Sequence, residues 1–171
     1  MKAIRRQERP GHRGRLAVTA PSPRADVLLS AARAAATRAY CPYSRFAVGA
    51  ALLADDGRIF TGANVENASY GLTICAERAA LFAAVNAGVR RFRALAVVAR
   101  TPATPCGACR QVLAEFCDSR LPVFCGTRTG TRAKRFTLGA LLPQAFQGGR
   151  GLGGQPGCTR NAIDRLKKES Q

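Results

Sequence analysis

Three cysteines at the starts of two predicted helices constrain this chain more than any other feature. Cys106 and Cys109 form a Cys-Gly-Ala-Cys pair preceded by Thr104 and Pro105. These are good N-cap and N1 residues, so a helix is predicted from Pro105 to Phe116 with both thiols on one face of its first turn. There the positive end of the helix dipole lowers a thiol's pKa and favours the thiolate, the form that binds metal. One Cys-x-x-Cys alone fits a redox pair or half of a structural zinc ribbon equally well. Cys75-Ala76-Glu77 begins another predicted helix 31 residues upstream of Cys106. Two helix N-termini can therefore aim three thiolates at one Zn²⁺ per chain, at about 2.3 Å per Zn–S bond. Three protein ligands leave a coordination position open for chemistry, whereas a fourth cysteine closes the site and makes it structural. Cys117 and Cys125 are the candidates for that fourth place, although each falls in a helix end or strand where cysteine behaves as a small core residue.

The rest of the composition narrows the choice. The chain has a single histidine, His12, lying among charges and glycines near the N-terminus, which argues against a histidine-based triad or a multi-histidine metal site. Seven cysteines, an odd number, without a secretory signal point to reduced thiols and a cytoplasmic setting. No apolar run approaches the roughly 20 residues needed to span a bilayer, so no membrane partner is expected. The net charge of +17 invites a nucleic-acid reading, but its distribution weakens it: residues 1–23 carry +5, residues 24–147 carry +9 and residues 148–171 carry +3. Nearly half of the excess thus lies in the end segments. Arginine also outnumbers lysine 23 to 4, which reads as a compositional habit rather than a binding stripe.

With 171 residues and 47% hydrophobic content, one domain with a real core is expected. Residues 1–23 mix prolines and glycines with arginines and read as a disordered basic extension; residues 148–171 open with a glycine-rich run and read as a flexible basic tail. Between them, residues 24–147 alternate in periodicity. Asp26 to Tyr40 places Val27, Leu28, Ala31, Ala35 and Ala39 at helical spacing. Phe46 to Leu53 and Arg58 to Val65 flank Asp55-Asp56-Gly57 as a hairpin. The helix from Cys75 to Ala87 has Ala79, Phe82, Ala83 and Val85 on one side; strands follow at Ala94 to Ala99, Leu121 to Cys125 and Arg135 to Thr137, and a short helix at Leu138 to Leu142. This is an α/β domain with a mixed, about five-stranded sheet.

Glu77 stands two residues from Cys75, close enough to reach a water on the metal without coordinating it. Taken alone, it reads as a favourable acid in a first helical turn. Beside three cysteines it completes the all-cysteine form of the zinc nucleobase deaminase pattern, in which Cys-x-Glu is followed by Pro-Cys-x-x-Cys. The chain resembles the cytidine deaminases of the small homotetrameric class. The resemblance rests on Tyr43-Ser44-Arg45-Phe46 with Val48-Gly49-Ala50-Ala51-Leu52, on Asn64-Val65-Glu66-Asn67-Ala68-Ser69-Tyr70, on Cys75-Ala76-Glu77-Arg78, on Pro105-Cys106-Gly107-Ala108-Cys109-Arg110-Gln111, and on Leu141-Leu142-Pro143-Gln144-Ala145-Phe146. The two extensions, Cys41 where the family often has a hydroxyl residue, and the positive charge depart from it.

The resemblance implies a three-layer α/β/α fold and a zinc-dependent hydrolase that deaminates cytidine and deoxycytidine in pyrimidine salvage. It implies Cys75, Cys106 and Cys109 as zinc ligands, Glu77 as the proton shuttle, and Arg78 as a donor to the cysteine sulfurs. Asn64 and Glu66, on one side of a strand end, would hold the ribose hydroxyls. Phe46 would pack against the base or serve as core, and Tyr70 would line the pocket or a subunit contact. Phe146 would be the ring that a neighbouring subunit of a homotetramer lends to each active site. Two other readings are a blasticidin-type deaminase, whose metal motifs are similar, and a polynucleotide-editing deaminase. The first lacks the pairing of Asn64 with Glu66 and the final Phe146; the second needs stacking aromatics, of which the chain offers few (3 Tyr, 8 Phe, 0 Trp).

Overall fold

A computed structural model describes residues 23–146. Helix α1 (Pro23–Ala36) leads into an antiparallel hairpin of β1 (Gly49–Ala54) and β2 (Ile59–Ala63). Gly57 in its turn has φ 90°, a conformation costly for any side chain-bearing residue. Helix α2 (Ala76–Asn86), strand β3 (Phe92–Ala99), helix α3 (Gly107–Phe116), strands β4 (Pro122–Thr127) and β5 (Ala133–Thr137), and the single turn α4 (Leu138–Leu141) follow. The five strands form one sheet in the order β2-β1-β3-β4-β5, and only β3 and β4 run parallel to each other as neighbours.

Strand alternation sorts the core into two layers. Leu52 of β1, Leu95 and Val97 of β3, and Val123 and Cys125 of β4 pack with Ala80, Leu81 and Ala84 of α2 and Leu113 of α3. On the other face, Ala51, Ala94, Ala96 and Val98 meet Leu28, Leu29 and Ala32 of α1. The result is the three-layer α/β/α arrangement with a mixed five-stranded sheet that the sequence led us to expect.

Helix phase is where the sequence reading and the structure part. The first helix runs from Pro23 to Ala36 rather than from Asp26 to Tyr40, and buries Leu28, Leu29, Ala32 and Ala35 while Val27 faces out. In α2 the buried face is Ala76, Glu77, Ala80, Leu81 and Ala84, and Phe82, expected inside, is exposed. Alanine-rich helices give periodicity little to count; a close approach decides their phase instead. A Cβ on Gly62 of β2 would stand only 2.5 Å from the Ala76 carbonyl oxygen and 2.8 Å from the Ala79 Cβ, so the small-residue face of α2 lies directly on the strand. The bulky Phe82 cannot occupy that contact. The disordered extension expected over 1–23 and the flexible tail expected over 148–171 lie outside the described residues, except that Pro23 already begins α1. No helix among the described residues is long and apolar enough to cross a membrane.

Gly62→Ala should therefore force α2 away from the sheet and destabilise the protein by about 1–3 kcal/mol, the usual cost of overpacking. Urea unfolding checks this; a midpoint equal to the parent's would show that the contact yields without cost.

Candidate active site

Strand β1 is antiparallel to both β2 and β3, so β2 and β3 run in the same direction. Helices α2 and α3, which follow them, consequently start at the same edge of the sheet. Cys75 is the N-cap of α2 and Cys106 the N-cap of α3, and neither side chain makes a capping hydrogen bond. The cap of α3 is thus Cys106, not Thr104, which instead accepts a hydrogen bond from Arg110. Cys109 follows, buried, in the first turn. The Cys75 and Cys106 sulfurs are 3.8 Å apart and the Cys106 and Cys109 sulfurs 3.5 Å apart, with all three within 4.8 Å of one another. Ligands of a tetrahedral zinc at about 2.3 Å stand about 3.8 Å from each other, so the trio fits that ion. The third sulfur separates this arrangement from a two-cysteine redox pair.

The electrostatics agree. Hydrogen bonding from Cys109, then from Arg78, brings the Cys75 thiol down to about 5. The hydrogen bond to Cys75, burial and the nearby Glu77 drive Cys109 the other way. One thiolate is readily held here; three call for a cation. Cys117 and Cys125 do not join the group: both are buried in the core, and burial pushes their thiols up to about 12. The closed four-cysteine alternative finds no ligand in either of them.

Glu77 lies in the first turn of α2 with only 5% of its surface exposed, and burial, reinforced by the neighbouring Cys75, raises its pKa. A carboxyl tuned upward is better matched to accepting and then releasing a proton. Arg78 donates through Nη2 to the Thr73 carbonyl at 3.0 Å and to Cys75 Sγ at 3.7 Å, so its charge stands beside the sulfurs.

A second group of residues braces the segment that precedes β1. Asn64, 8% exposed, accepts from the Val48 N–H at 2.8 Å and donates to the Phe46 carbonyl at 3.0 Å. Glu66 Oε2 accepts from the Tyr43 and Ser44 N–H groups at 2.9 and 3.1 Å, and its Oε1 accepts from the Ser44 hydroxyl. These bonds hold the Glu66 carboxyl below the usual carboxylate range, the Ser44 hydroxyl contributing most. They also fix Arg45 at φ 53°, a strained conformation, and half-bury Phe46. Val65, between Asn64 and Glu66, exchanges both backbone hydrogen bonds with Ile74, the residue before Cys75. Tyr70 is 74% exposed and meets Tyr43 edge to face, ring centroids 5.9 Å apart. Phe146 is 77% exposed, its backbone bound to the Gln111 carboxamide. The sequence reading assigned no role to Ser44, Arg110 or Gln111, although all three stand inside the quoted motifs.

Residues 23–125 match the family described as the cytidine and deoxycytidylate deaminase zinc-binding region. The chain is 54% identical over 121 residues to a cytidine deaminase of Sporosarcina psychrophila, covering 70% of this chain and 88% of that one. With a cytidine deaminase of Mycobacterium tuberculosis H37Rv the identity is 51% over 123 residues, covering 71% and 88%. Among solved structures, the cytidine deaminase from Burkholderia pseudomallei superposes with a TM-score of 0.67 at 52% identity, over 70% of this chain and 97% of that chain.

Proposed function

This chain belongs to the zinc-binding cytidine and deoxycytidylate deaminase family, and from that premise we infer that it hydrolyses cytidine and deoxycytidine to uridine and deoxyuridine, releasing ammonia. Zinc is its cofactor, and pyrimidine salvage is the setting that fits this reaction. We propose Cys75, Cys106 and Cys109 as the ligands. When bound, zinc supplies the Lewis acidity that makes water a competent nucleophile near neutral pH.

The observation that carries this reading is a buried carboxyl in the first turn of the helix whose N-cap residue is one of the three cysteines. Glu77 accepts a proton from the attacking water, passes it to N3 of the pyrimidine as C4 is attacked, and delivers a proton to the amine that departs as ammonia. One carboxyl serves every transfer because the donors and acceptors lie around one carbon. Arg78 offsets the formal excess charge of three thiolates and keeps the centre from becoming too electron-rich. For the sugar, a carboxylate offers about four acceptor sites, of which Glu66 uses three internally, and an amide keeps a spare donor and acceptor after the two bonds of Asn64. Each retains capacity for a ribose hydroxyl. Phe46 would then flank the base, Tyr70 the pocket rim or a subunit contact, and Phe146 a neighbouring subunit's site within a homotetramer. The catalytic unit is residues 24–147, at work in the cytoplasm, where its thiols stay reduced.

Absorbance assays with cytidine, deoxycytidine and a cytosine-containing oligonucleotide side by side should show turnover of the free nucleosides only; turnover of the oligonucleotide alone would overturn the assignment. Glu77→Gln should retain zinc and lose at least about 10²-fold in kcat, since the amide cannot carry protons. Near-parent turnover by that variant would remove Glu77 from the mechanism. Co-expressing Glu77→Gln subunits with Phe146→Ala subunits should yield hybrids more active than either parent, because some sites then combine an intact Glu77 with a neighbour's intact Phe146. Activity no higher than the average of the parents would place Phe146 in its own chain's site. Finally, a chain lacking residues 1–22 and 149–171 should keep its nucleoside turnover; unfolding on truncation would show that the tails belong to the domain.

A further inference from the structure

The Gln111 carboxamide and the Phe146 backbone form a closed pair: Gln111 Nε2 donates to the Phe146 carbonyl at 2.8 Å, and the Phe146 N–H donates to Gln111 Oε1 at 3.0 Å. A side-chain amide here takes the part a neighbouring strand's backbone takes in an antiparallel ladder. Five residues earlier the same segment is held again, where Arg110 Nη1 donates to the Leu141 carbonyl at 2.8 Å. Arg110 also donates through Nε to the Pro105 carbonyl at 2.6 Å and through Nη2 to the Thr104 hydroxyl at 3.0 Å, which fixes the guanidinium against the start of α3. Arg110 and Gln111 directly follow Cys109, so both anchors of the α4 to Phe146 segment belong to the helix turn that carries two of the three sulfurs. The consequence is unusual for an aromatic residue: the Phe146 backbone is tied at both polar atoms while its ring stays 77% exposed. Among the described residues the ring is left largely uncovered, on a backbone held at both polar atoms.

We propose that Gln111 is a positioning residue, setting where the Phe146 ring stands relative to α3 of its own chain so that the ring is already placed for the neighbouring subunit's pocket it completes. This rests on the reading of Phe146 as a wall of the nucleoside pocket. Without the clasp the ring would have to be ordered at each binding event, which weakens substrate binding without touching proton transfer. The effect should appear in KM, with kcat and zinc content little changed.

The test combines kinetics with a physical probe of the ring. Phe146→Ala should raise KM about tenfold, and Gln111→Met about threefold or more in the parent yet less than about 1.5-fold in the Phe146→Ala background, since the clasp then has no ring to place. Gln111→Glu keeps the acceptor for the Phe146 N–H and loses the donor to its carbonyl, so it should fall between Gln111 and Gln111→Met. Because the chain has no tryptophan, Phe146→Trp provides a sole reporter at the site. Its fluorescence anisotropy should drop, and its quenching by acrylamide rise, when Gln111→Met is added. Additive KM effects, or anisotropy indifferent to Gln111, would overturn the role of Gln111 while leaving Phe146 in the pocket. An unchanged KM in Phe146→Ala would overturn the reading of the ring itself, and the proposal with it.

Discussion

Two helix N-termini meeting at three sulfur atoms is the constraint on which the rest of this structure depends. It follows from strand direction. Because β1 is antiparallel to both of its neighbours, β2 and β3 point the same way, and the helices that leave them start side by side. Cysteine at each cap, with a further cysteine in the first turn of α3, turns that shared edge into a donor set. The close approach of α2 to Gly62 fixes the helix axially and rotationally, so Cys75 at its cap and Glu77 in its first turn are oriented together. The donor set, the buried carboxyl and the helix packing are therefore consequences of one placement.

That placement also explains the charge arrangement. Hydrogen bonds from Cys109 and from Arg78 favour the anionic form of Cys75, while the hydrogen bond to Cys75 and burial resist adding more charge at Cys109. A divalent cation resolves the conflict, and its presence is what would let a buried glutamate work beside three sulfurs. Asn64 and Glu66, proposed for the sugar, are built on different logic. Each makes two hydrogen bonds to the backbone of residues 43–48, so the segment that carries Phe46 is braced before any ligand arrives.

What the sequence made legible was local. The hairpin around Asp55-Asp56-Gly57 and the cysteines at two helix starts depend on neighbours within a few residues, and the order of helices and strands, with the family resemblance, led to a mixed, about five-stranded sheet. Helix phase was not legible, because Ala-rich α1 and α2 carry too little contrast and contacts with the sheet chose their faces. Ser44 and Gln111 escaped notice for another reason. Their partners, Glu66 and Phe146, lie 22 and 35 residues away, and a polar side chain gives no sign in the sequence of which distant backbone it will bind. A motif containing both, as Arg110-Gln111 does with Cys109, records that the residues matter without recording what they touch.

X-ray absorption fine structure at the zinc edge of the purified protein tests the central claim most directly. Three sulfur scatterers at about 2.3 Å and one lighter oxygen or nitrogen neighbour are expected, the signature of a three-thiolate centre with a position open for chemistry. Four sulfurs would instead describe a closed structural site, recruit Cys117 or Cys125 from the core, and contradict the account of Glu77 as a proton carrier to a reacting water.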